Sequence, residues 1–264
     1  MFASFYSYLC VLSFRPFNTV RSNIILIDGK FVSYQRRGEG QDVLLLHGYG
    51  SKKESFYFQT QFLSNYFKVT APDFPAFGAS EGIDTAWSVG DYALWLEKFI
   101  LAAKLNCPHI IAHSFGARVV FKLLSEKPDM ANKLVITGGA GLVKQRSPQY
   151  IRRVKRYRRL KKFFPKYAEK HFGSEEYKKL SPLMKESYKK IVNEDLRNCA
   201  ANVKNKTLLI YGQDDTVTPP NEEGAIFNSL ISGSQLQIIS GGHFCFCEHP
   251  DLFNEKIFQF LRIR

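Results

Sequence analysis

The chain of 264 residues is long enough for one large domain or two small ones, and 45% of its residues are hydrophobic, which excludes a chain that is disordered throughout. Its five cysteines are scattered and odd in number, which argues against a disulfide framework and for a reducing compartment, with the cytoplasm as the default expectation. The formal net charge of +13 lies in one segment, since residues 144–206 hold 20 Lys or Arg against 6 Asp or Glu.

Residues 1–22 are predicted to form an N-terminal extension. Residues 1–14 carry no charge and are rich in Phe, Tyr and Leu, whereas the first positive charges, Arg15 and Arg21, follow them. A secretory signal carries its positive charge before the apolar run, and a membrane-spanning helix takes about 20 apolar residues, so both are disfavoured. We expect the extension to pack on the domain or to touch a membrane surface, with a signal-like role as the alternative.

Eight short apolar runs bounded by turn residues are typical of β-strands. They lie at Ile24–Asp28, Phe31–Arg36, Val43–Leu46, Lys68–Ala71, His109–Ala112, Leu134–Thr137, Thr207–Tyr211 and Leu236–Ile239. Helical patterns between and after them predict helices at Trp87–Leu105, Ser114–Leu124, Pro219–Ile231 and Pro250–Leu261. Buried strands that alternate with helices indicate an α/β fold with a doubly wound, mostly parallel sheet.

Residues from about 143 to 203 interrupt this alternation, because they contain no convincing strand. Helical stretches are predicted there at Ile151–Phe164 and Leu183–Asn198. An insertion of this size between two strands is expected to form a helical cap over the end of the sheet, where sites form. The domain that contains the cap is predicted to span residues 23–264.

The motif Ala112-His113-Ser114-Phe115-Gly116 follows one predicted strand and precedes a helix. A nucleophile on a sharp strand-to-helix turn needs small residues two positions before and after it, because the backbones approach closely there. Glycine is usual at both positions, and alanine is the next smallest residue. The motif predicts Ser114 as a catalytic nucleophile, although taken alone it also fits a serine at an ordinary helix N-terminus.

Two further motifs lie at the ends of later strands. Residues 212–219 contain Asp214 and Asp215, and either stands where a triad acid accepts the Nδ1 hydrogen of a histidine. His243 follows two glycines after the last strand and can reach over the sheet edge to the serine. Taken alone, these residues also fit a turn aspartate and an exposed loop histidine. Together they give the chain order serine, aspartate, histidine, which this type of fold requires.

The loop after the third strand begins His47-Gly48-Tyr49. Its glycine lets the backbone N–H of Tyr49 point into the site, where it is predicted to form an oxyanion hole with the N–H of Phe115. We place His47, Gly48 and His113 beside these amides as substrate-binding residues.

On these motifs the chain resembles the α/β-hydrolase family over residues 24–261. Residues 73–80 are similar to the family's Asp-x-Pro-x-x-Gly-x-Ser loop, and residues 212–219 to its Gly-x-x-Asp turn. In that turn the acid is the fourth residue, so the resemblance implies Asp215 rather than Asp214 as the triad acid. It also implies the α/β-hydrolase fold with a cap insertion.

The resemblance further implies a mechanism. Ser114 attacks an acyl carbon, the amides of Tyr49 and Phe115 hold the oxyanion, and water-driven deacylation proceeds through His243. A serine at this position argues against dehalogenases and epoxide hydrolases, which carry aspartate there. We expect a serine hydrolase that cleaves a carboxylic ester-like bond of a small molecule and needs no cofactor. Thioester, amide or carbon–carbon bond cleavage are the enzymatic alternatives, and a non-catalytic binding protein with a basic, membrane-facing cap is the alternative outside enzymes.

Two other patterns are not interpreted as the functional site. His243, Cys245, Cys247 and His249 alternate, but zinc sites more often show Cys-x-x-Cys spacing, and no metal site is predicted. The basic run over residues 152–162 carries apolar residues at helical spacing and is interpreted as an amphipathic cap helix. Its charge predicts at most a weak contact with an anionic membrane, and no nucleic-acid partner is expected.

Overall fold

The computed structural model describes residues 22–143 and 175–263, together with residues 149, 152, 154–156 and 159. The predicted N-terminal extension, apart from Ser22, and most of the predicted cap helix Ile151–Phe164 lie outside the described residues. No helix within the described ranges is long and apolar enough to cross a membrane.

One eight-stranded sheet organises the described chain. Its strands are β1 (Asn23–Ile27), β2 (Lys30–Arg37), β3 (Asp42–Leu46), β4 (Lys68–Pro72), β5 (His109–His113), β6 (Lys133–Thr137), β7 (Lys206–Gly212) and β8 (Gln235–Ile239). The order across the sheet is β1-β2-β4-β3-β5-β6-β7-β8, with β2 antiparallel to β1 and β4 and the other pairs parallel. Each predicted strand is confirmed, with ends within one residue of those predicted.

Helices flank this sheet on both faces. They are α1 (Tyr57–Leu63), α2 (Val89–Ala102), α3 (Phe115–Glu126), α4 (Glu175–Lys179), α5 (Pro182–Asn193), α6 (Arg197–Ala201), α7 (Ala225–Leu230), α8 (Cys245–Glu248) and α9 (Pro250–Arg262). Helix α2 begins two residues later than predicted because Ser88 and Asp91 form a capping box at its start. The helix predicted at Pro219–Ile231 is present, and its first turn, Pro220–Gly224, is π-helical and continues directly into α7.

Side chains of the central strands alternate between two apolar layers. Leu44 and Leu46 of β3 face one layer with α2 and α3, whereas Val43 and Leu45 face the other with α1 and α9. All four are fully buried. A strand covered on both faces needs apolar residues at every position, which explains the unbroken apolar runs in the sequence.

Between β6 and β7 the described residues form helices α4 to α6 and no strand. The helix predicted at Leu183–Asn198 is interrupted between α5 and α6. There the carboxylate of Asp195 accepts the backbone N–H of Val143 and of Arg197, each at 3.0 Å. A carboxylate that accepts the N–H of the first residue of a helix favours a new helix start at that point. That these helices belong to a cap stays a prediction.

Candidate active site

Ser114 lies between the last residue of β5 and the first residue of α3. Its φ is +50° and its ψ is −104°, a conformation that residues other than glycine rarely adopt. Strained backbone of this kind persists where the surrounding structure fixes it, and it is typical of a nucleophile on a strand-to-helix turn. The sharp turn predicted around Ser114 is therefore present.

Two glycines allow this turn and the neighbouring loop to approach closely. A Cβ atom on Gly116 would lie 2.6 Å from the backbone oxygen of Leu46, and one on Gly48 would lie 2.8 Å from Nδ1 of His113. Both distances are shorter than any real Cβ contact, and the opposing atoms are held in the core. The start of α3 can pack against the end of β3 only because these side chains are absent.

Asp215 and His243 are in direct contact. The distance between Asp215 Oδ2 and His243 Nδ1 is 2.8 Å. The other carboxylate oxygen accepts the backbone N–H groups of Val217 and Thr218 at 2.8 and 2.9 Å. The hydroxyl of Thr218 donates to Asp215 Oδ2 at 2.7 Å and lies 3.2 Å from His243 Nδ1. Both oxygens of Asp215 are thus engaged, which fixes the direction in which the carboxylate meets the imidazole.

The environment of Asp215 keeps it ionised. Burial opposes its charge, but the hydrogen bonds and positive charge of His243 and the hydrogen bonds from Thr218 outweigh this effect and hold the pKa of the carboxyl below its ordinary value. An ionised Asp215 accepts the Nδ1 hydrogen, which leaves Nε2 of the neutral imidazole without a proton. This is the tautomer that a general base needs. Asp214, in contrast, is exposed.

His243 stands beside the serine turn. Its backbone oxygen accepts a hydrogen bond from Nε2 of His113 at 3.0 Å, and the two imidazole centroids are 4.7 Å apart. Between the described side chains of Ser114 and His243, no hydrogen bond is formed. Such bonds are often long in the absence of substrate and tighten in the complex. The structure therefore brings the three predicted residues to one sheet edge, while their catalytic roles stay a prediction.

The backbone amides of Tyr49 and Phe115 belong to residues whose aromatic rings are in contact, with the ring centroids 5.6 Å apart. Neither N–H donates a hydrogen bond to any described residue. Phe115 is the first residue of α3, and the first amides of a helix have no acceptor within it. A free amide at a helix start suits a developing negative charge, and in the predicted oxyanion hole the N–H of Tyr49, from the loop after β3, is its partner.

His47 and His113, predicted to bind substrate, are instead buried, with 0% and 2% of their surface exposed. Nδ1 of His47 donates to the oxygen of Gly48 at 2.8 Å, and its Nε2 accepts the N–H of Phe74 at 3.0 Å. Burial lowers the pKa of His47 to about 4 and that of His113 well below its usual value. Both rings are therefore neutral at neutral pH and support the loops beneath the site, and their contact with substrate stays a prediction.

Thr218 and Lys53 are near the site but were not indicated by the sequence motifs. Lys53 is 3% exposed, and its Nζ lies 2.7 Å from Oδ2 of the fully buried Asp73. The same carboxylate accepts the backbone N–H of Lys53 at 2.7 Å and of Ala79 at 2.9 Å, so it fixes the loop after β4. Thr218, three residues after Asp215, carries a local signal, because aspartate commonly binds backbone two and three residues ahead. Lys53 carries none.

Comparisons with known proteins identify the family of the chain. A sequence model of the alpha/beta hydrolase family matches residues 43–256. The pimeloyl-[acyl-carrier protein] methyl ester esterase of Pectobacterium carotovorum is 23% identical over 261 residues, which cover 86% of this chain and 97% of that protein. The (E)-2-((N-methylformamido)methylene)succinate hydrolase of Acinetobacter baylyi is 23% identical over 120 residues, and the match spans 46% of each protein, less than half the length of that relative.

A solved structure shows the same fold. The esterase EaEST of Exiguobacterium antarcticum superposes with a TM-score of 0.72 at 21% identity, covering 91% of this chain and 98% of that one. At this identity the likeness speaks for the fold alone. The family match, however, extends over most of the chain and includes the strands that carry Ser114, Asp215 and His243. The chain belongs to the alpha/beta hydrolase family.

Proposed function

We propose that this hydrolase cleaves carboxylic esters through an acyl-enzyme formed on Ser114. The observation that carries the proposal is the 2.8 Å contact between Asp215 and His243, set beside a serine on a strained strand-to-helix turn. An aspartate, a histidine and a serine arranged in this way supply an orienting acid, a general base and a nucleophile.

The proposed reaction begins when Nε2 of His243 takes the hydroxyl proton of Ser114 as Oγ attacks the ester carbonyl carbon. The carbonyl oxygen becomes negatively charged and accepts hydrogen bonds from the amides of Tyr49 and Phe115. His243 then gives its proton to the leaving alcohol, and the acyl group stays on Ser114. A water deprotonated by His243 attacks this acyl-enzyme, releases the carboxylic acid and restores the serine hydroxyl.

The surroundings favour an apolar acyl group. The ring of Tyr49 packs edge-on against Phe77, Phe115 and Tyr188, with centroid distances of 4.9, 5.6 and 5.1 Å. Aromatic side chains at a site stabilise a bound apolar group more than a charged one. Support for an ester as the bond cleaved comes from the Pectobacterium relative, a methyl ester esterase by name, which aligns over nearly its whole length.

Fluorophosphonate labelling and p-nitrophenyl ester turnover test the proposal on the wild type and on Ser114→Ala. We expect both signals in the wild type and a loss of labelling with Ser114→Ala, because the probe bonds only to an activated nucleophile. Turnover should fall by about 10⁶-fold, as in hydrolases whose triad residues act together. The matched control is Ser240→Ala, since Ser240 is an exposed serine of the loop that carries His243 and should be dispensable.

Thioesters and anilides with the same acyl group separate the alternative reactions. Faster turnover of a thioester or an anilide than of the oxygen ester would assign the enzyme to that bond instead. A folded wild type that neither labels nor turns over any of them would contradict catalysis by this site and favour a binding protein.

A further inference from the structure

Helix α5 is held against the body of the protein near both of its ends. Near its start, the hydroxyl of Tyr49 donates to the backbone oxygen of Met184 at 3.3 Å. At its end, Nη1 of Arg118 donates to the backbone oxygens of Ile191 and Glu194 at 3.0 and 3.1 Å. Tyr49 belongs to the loop after β3 and Arg118 to α3, the two elements that carry the proposed oxyanion amides. The position of α5 is thus linked to both amides.

Tyr49 is restrained along its whole side chain. Its ring is packed edge-on by Phe77 and Phe115 from the body and by Tyr188 from α5. Burial, followed by the neighbouring phenols of Tyr188 and Tyr177, raises the pKa of the Tyr49 hydroxyl, so it remains a donor at neutral pH. A tyrosine side chain has only two rotatable bonds between its backbone and its ring. A ring fixed at its far end therefore restrains the backbone of the same residue.

We propose that Tyr49 is a positioning residue whose hydroxyl, bound to the carbonyl of Met184, holds its own backbone N–H in the oxyanion hole. The inference rests on the proposed esterase function. An amide donor stabilises the transition state only when it is already aimed at the place where the charge develops. Without the hydroxyl, the ring loses its hydrogen bond to α5 and keeps its packing against Tyr188, so the amide is less well aimed. Because the negative charge forms only during reaction, the loss should fall on kcat rather than on KM.

The test compares Tyr49→Phe with the wild type on p-nitrophenyl butyrate and on a trifluoromethyl ketone with the same acyl chain. The ketone adds to the serine and presents an oxyanion to the hole, whereas the ester in its ground state does not. We expect kcat to fall about 2- to 10-fold with KM unchanged, the range that corresponds to one ordinary hydrogen bond. The inhibition constant of the ketone should rise by the same factor. A folded Tyr49→Phe with the kcat and ketone affinity of the wild type would overturn the proposal.

Ser187→Ala is the matched control. The Ser187 hydroxyl, also on α5, donates to the backbone oxygen of Trp87 at 2.7 Å, so this variant removes another hydroxyl–carbonyl bond between the same helix and the body. We expect it to lower the melting temperature and to leave kcat and the ketone affinity unchanged. If it lowers kcat as much as Tyr49→Phe does, general loosening of α5 explains both, and the proposal fails.

The two proposals fail in different ways. A wild type without ester turnover contradicts the esterase function and, with it, the role of Tyr49. An active wild type in which Tyr49→Phe changes neither kcat nor ketone affinity contradicts the role of Tyr49 alone.

Discussion

Asp214 and Asp215 are adjacent carboxylates in opposite environments. Asp215 is 3% exposed, and its carboxylate is hydrogen-bonded to His243, to the backbone amides of Val217 and Thr218 and to the Thr218 hydroxyl. Asp214 is exposed, and its backbone N–H binds the oxygen of Gly241 at 2.9 Å, which holds the turn against the loop that precedes His243. Asp214 thus joins the two loops through its backbone, whereas Asp215 orients the imidazole through its side chain.

This division predicts unequal effects of neutral substitutions. Asp215→Asn keeps the size of the side chain but gives the imidazole a neutral partner that can select the wrong tautomer, so kcat should fall by about 10⁴-fold with little change in KM. Asp214→Asn keeps the backbone bond to Gly241 and should retain wild-type kcat. Steady-state kinetics on one p-nitrophenyl ester measures both. Comparable losses in the two variants would mean that the turn as a whole, and not the Asp215 carboxylate, is what the reaction needs.

Helix α3 joins the serine to α5 through a buried cation. Arg118 lies one turn after Ser114 and is 7% exposed, and burial lowers the pKa of its guanidinium. The backbone oxygens of Ile191 and Glu194 receive its hydrogens at the C-terminal end of α5, where a positive charge is favoured by the helix dipole. One turn further, the more exposed Lys122 meets the carboxylate of Glu194 at 3.2 Å. The contact between these elements therefore has a buried and an exposed part.

The two contacts should differ in their contribution to stability. Arg118→Met fills similar space but removes both hydrogen bonds to the carbonyl oxygens of Ile191 and Glu194, and we expect it to lower the free energy of unfolding by about 1–3 kcal/mol. Lys122→Met removes only a partly exposed ion pair, which contributes about 0–1 kcal/mol. Urea unfolding compares the variants, and hydrogen exchange should show faster exchange along α5 in Arg118→Met. Equal losses of stability, or unchanged exchange in α5, would show that Arg118 does not anchor this helix.

The strands could be predicted from the sequence and helix α1 could not, for a physical reason. Strands covered on both faces need unbroken apolar runs, a signal carried by adjacent residues. Helix α1 buries Gln59, whose amide nitrogen donates to the backbone oxygen of Phe246 at 2.8 Å and the side chain of Asn254 at 3.2 Å. Because a polar residue satisfied by distant partners occupies the core side of α1, its pattern lacks the apolar stripe of an amphipathic helix.

The same distinction holds in the candidate site. Ser114, Asp215 and His243 could be predicted because each follows a strand within a short local motif. Contacts such as those of Tyr49 with Met184 or Lys53 with Asp73 join residues far apart in the chain, and the sequence contains no local pattern for them. The burial of His47 and His113 could likewise not be predicted, because a histidine at a strand end has the same local sequence whether its side chain faces a substrate or the core.

At the scale of the whole molecule, three of the histidines in the described part of the chain are buried, and their imidazoles charge more easily in the unfolded chain. Burial lowers the pKa of His47 and of His109 to about 4, with the charge of Lys133 adding to the effect at His109, and burial also holds the pKa of His113 well below its ordinary value. Between pH 6.5 and about 4 the unfolded chain therefore binds protons at these positions that the folded protein does not. Proton binding by the unfolded chain alone lowers the free energy of unfolding. Above about pH 6.5 the rings are neutral in both states, and this loss is absent.

The free energy of unfolding should therefore decline as pH falls from about 6.5 towards 4, by several kcal/mol in total at about 1.4 kcal/mol per pKa unit for each ring. The lowered pKa of Asp215 extends the decline, since its stabilising charge is lost at still lower pH. Urea unfolding at a series of pH values measures how the free energy of unfolding depends on pH. His109→Gln should reduce this dependence by the equivalent of about one bound proton. His249→Gln, at an exposed position, should leave it unchanged. A stability that is flat between pH 6.5 and 4.5 would contradict this, because it would mean that the folded protein binds protons on these rings as readily as the unfolded chain does.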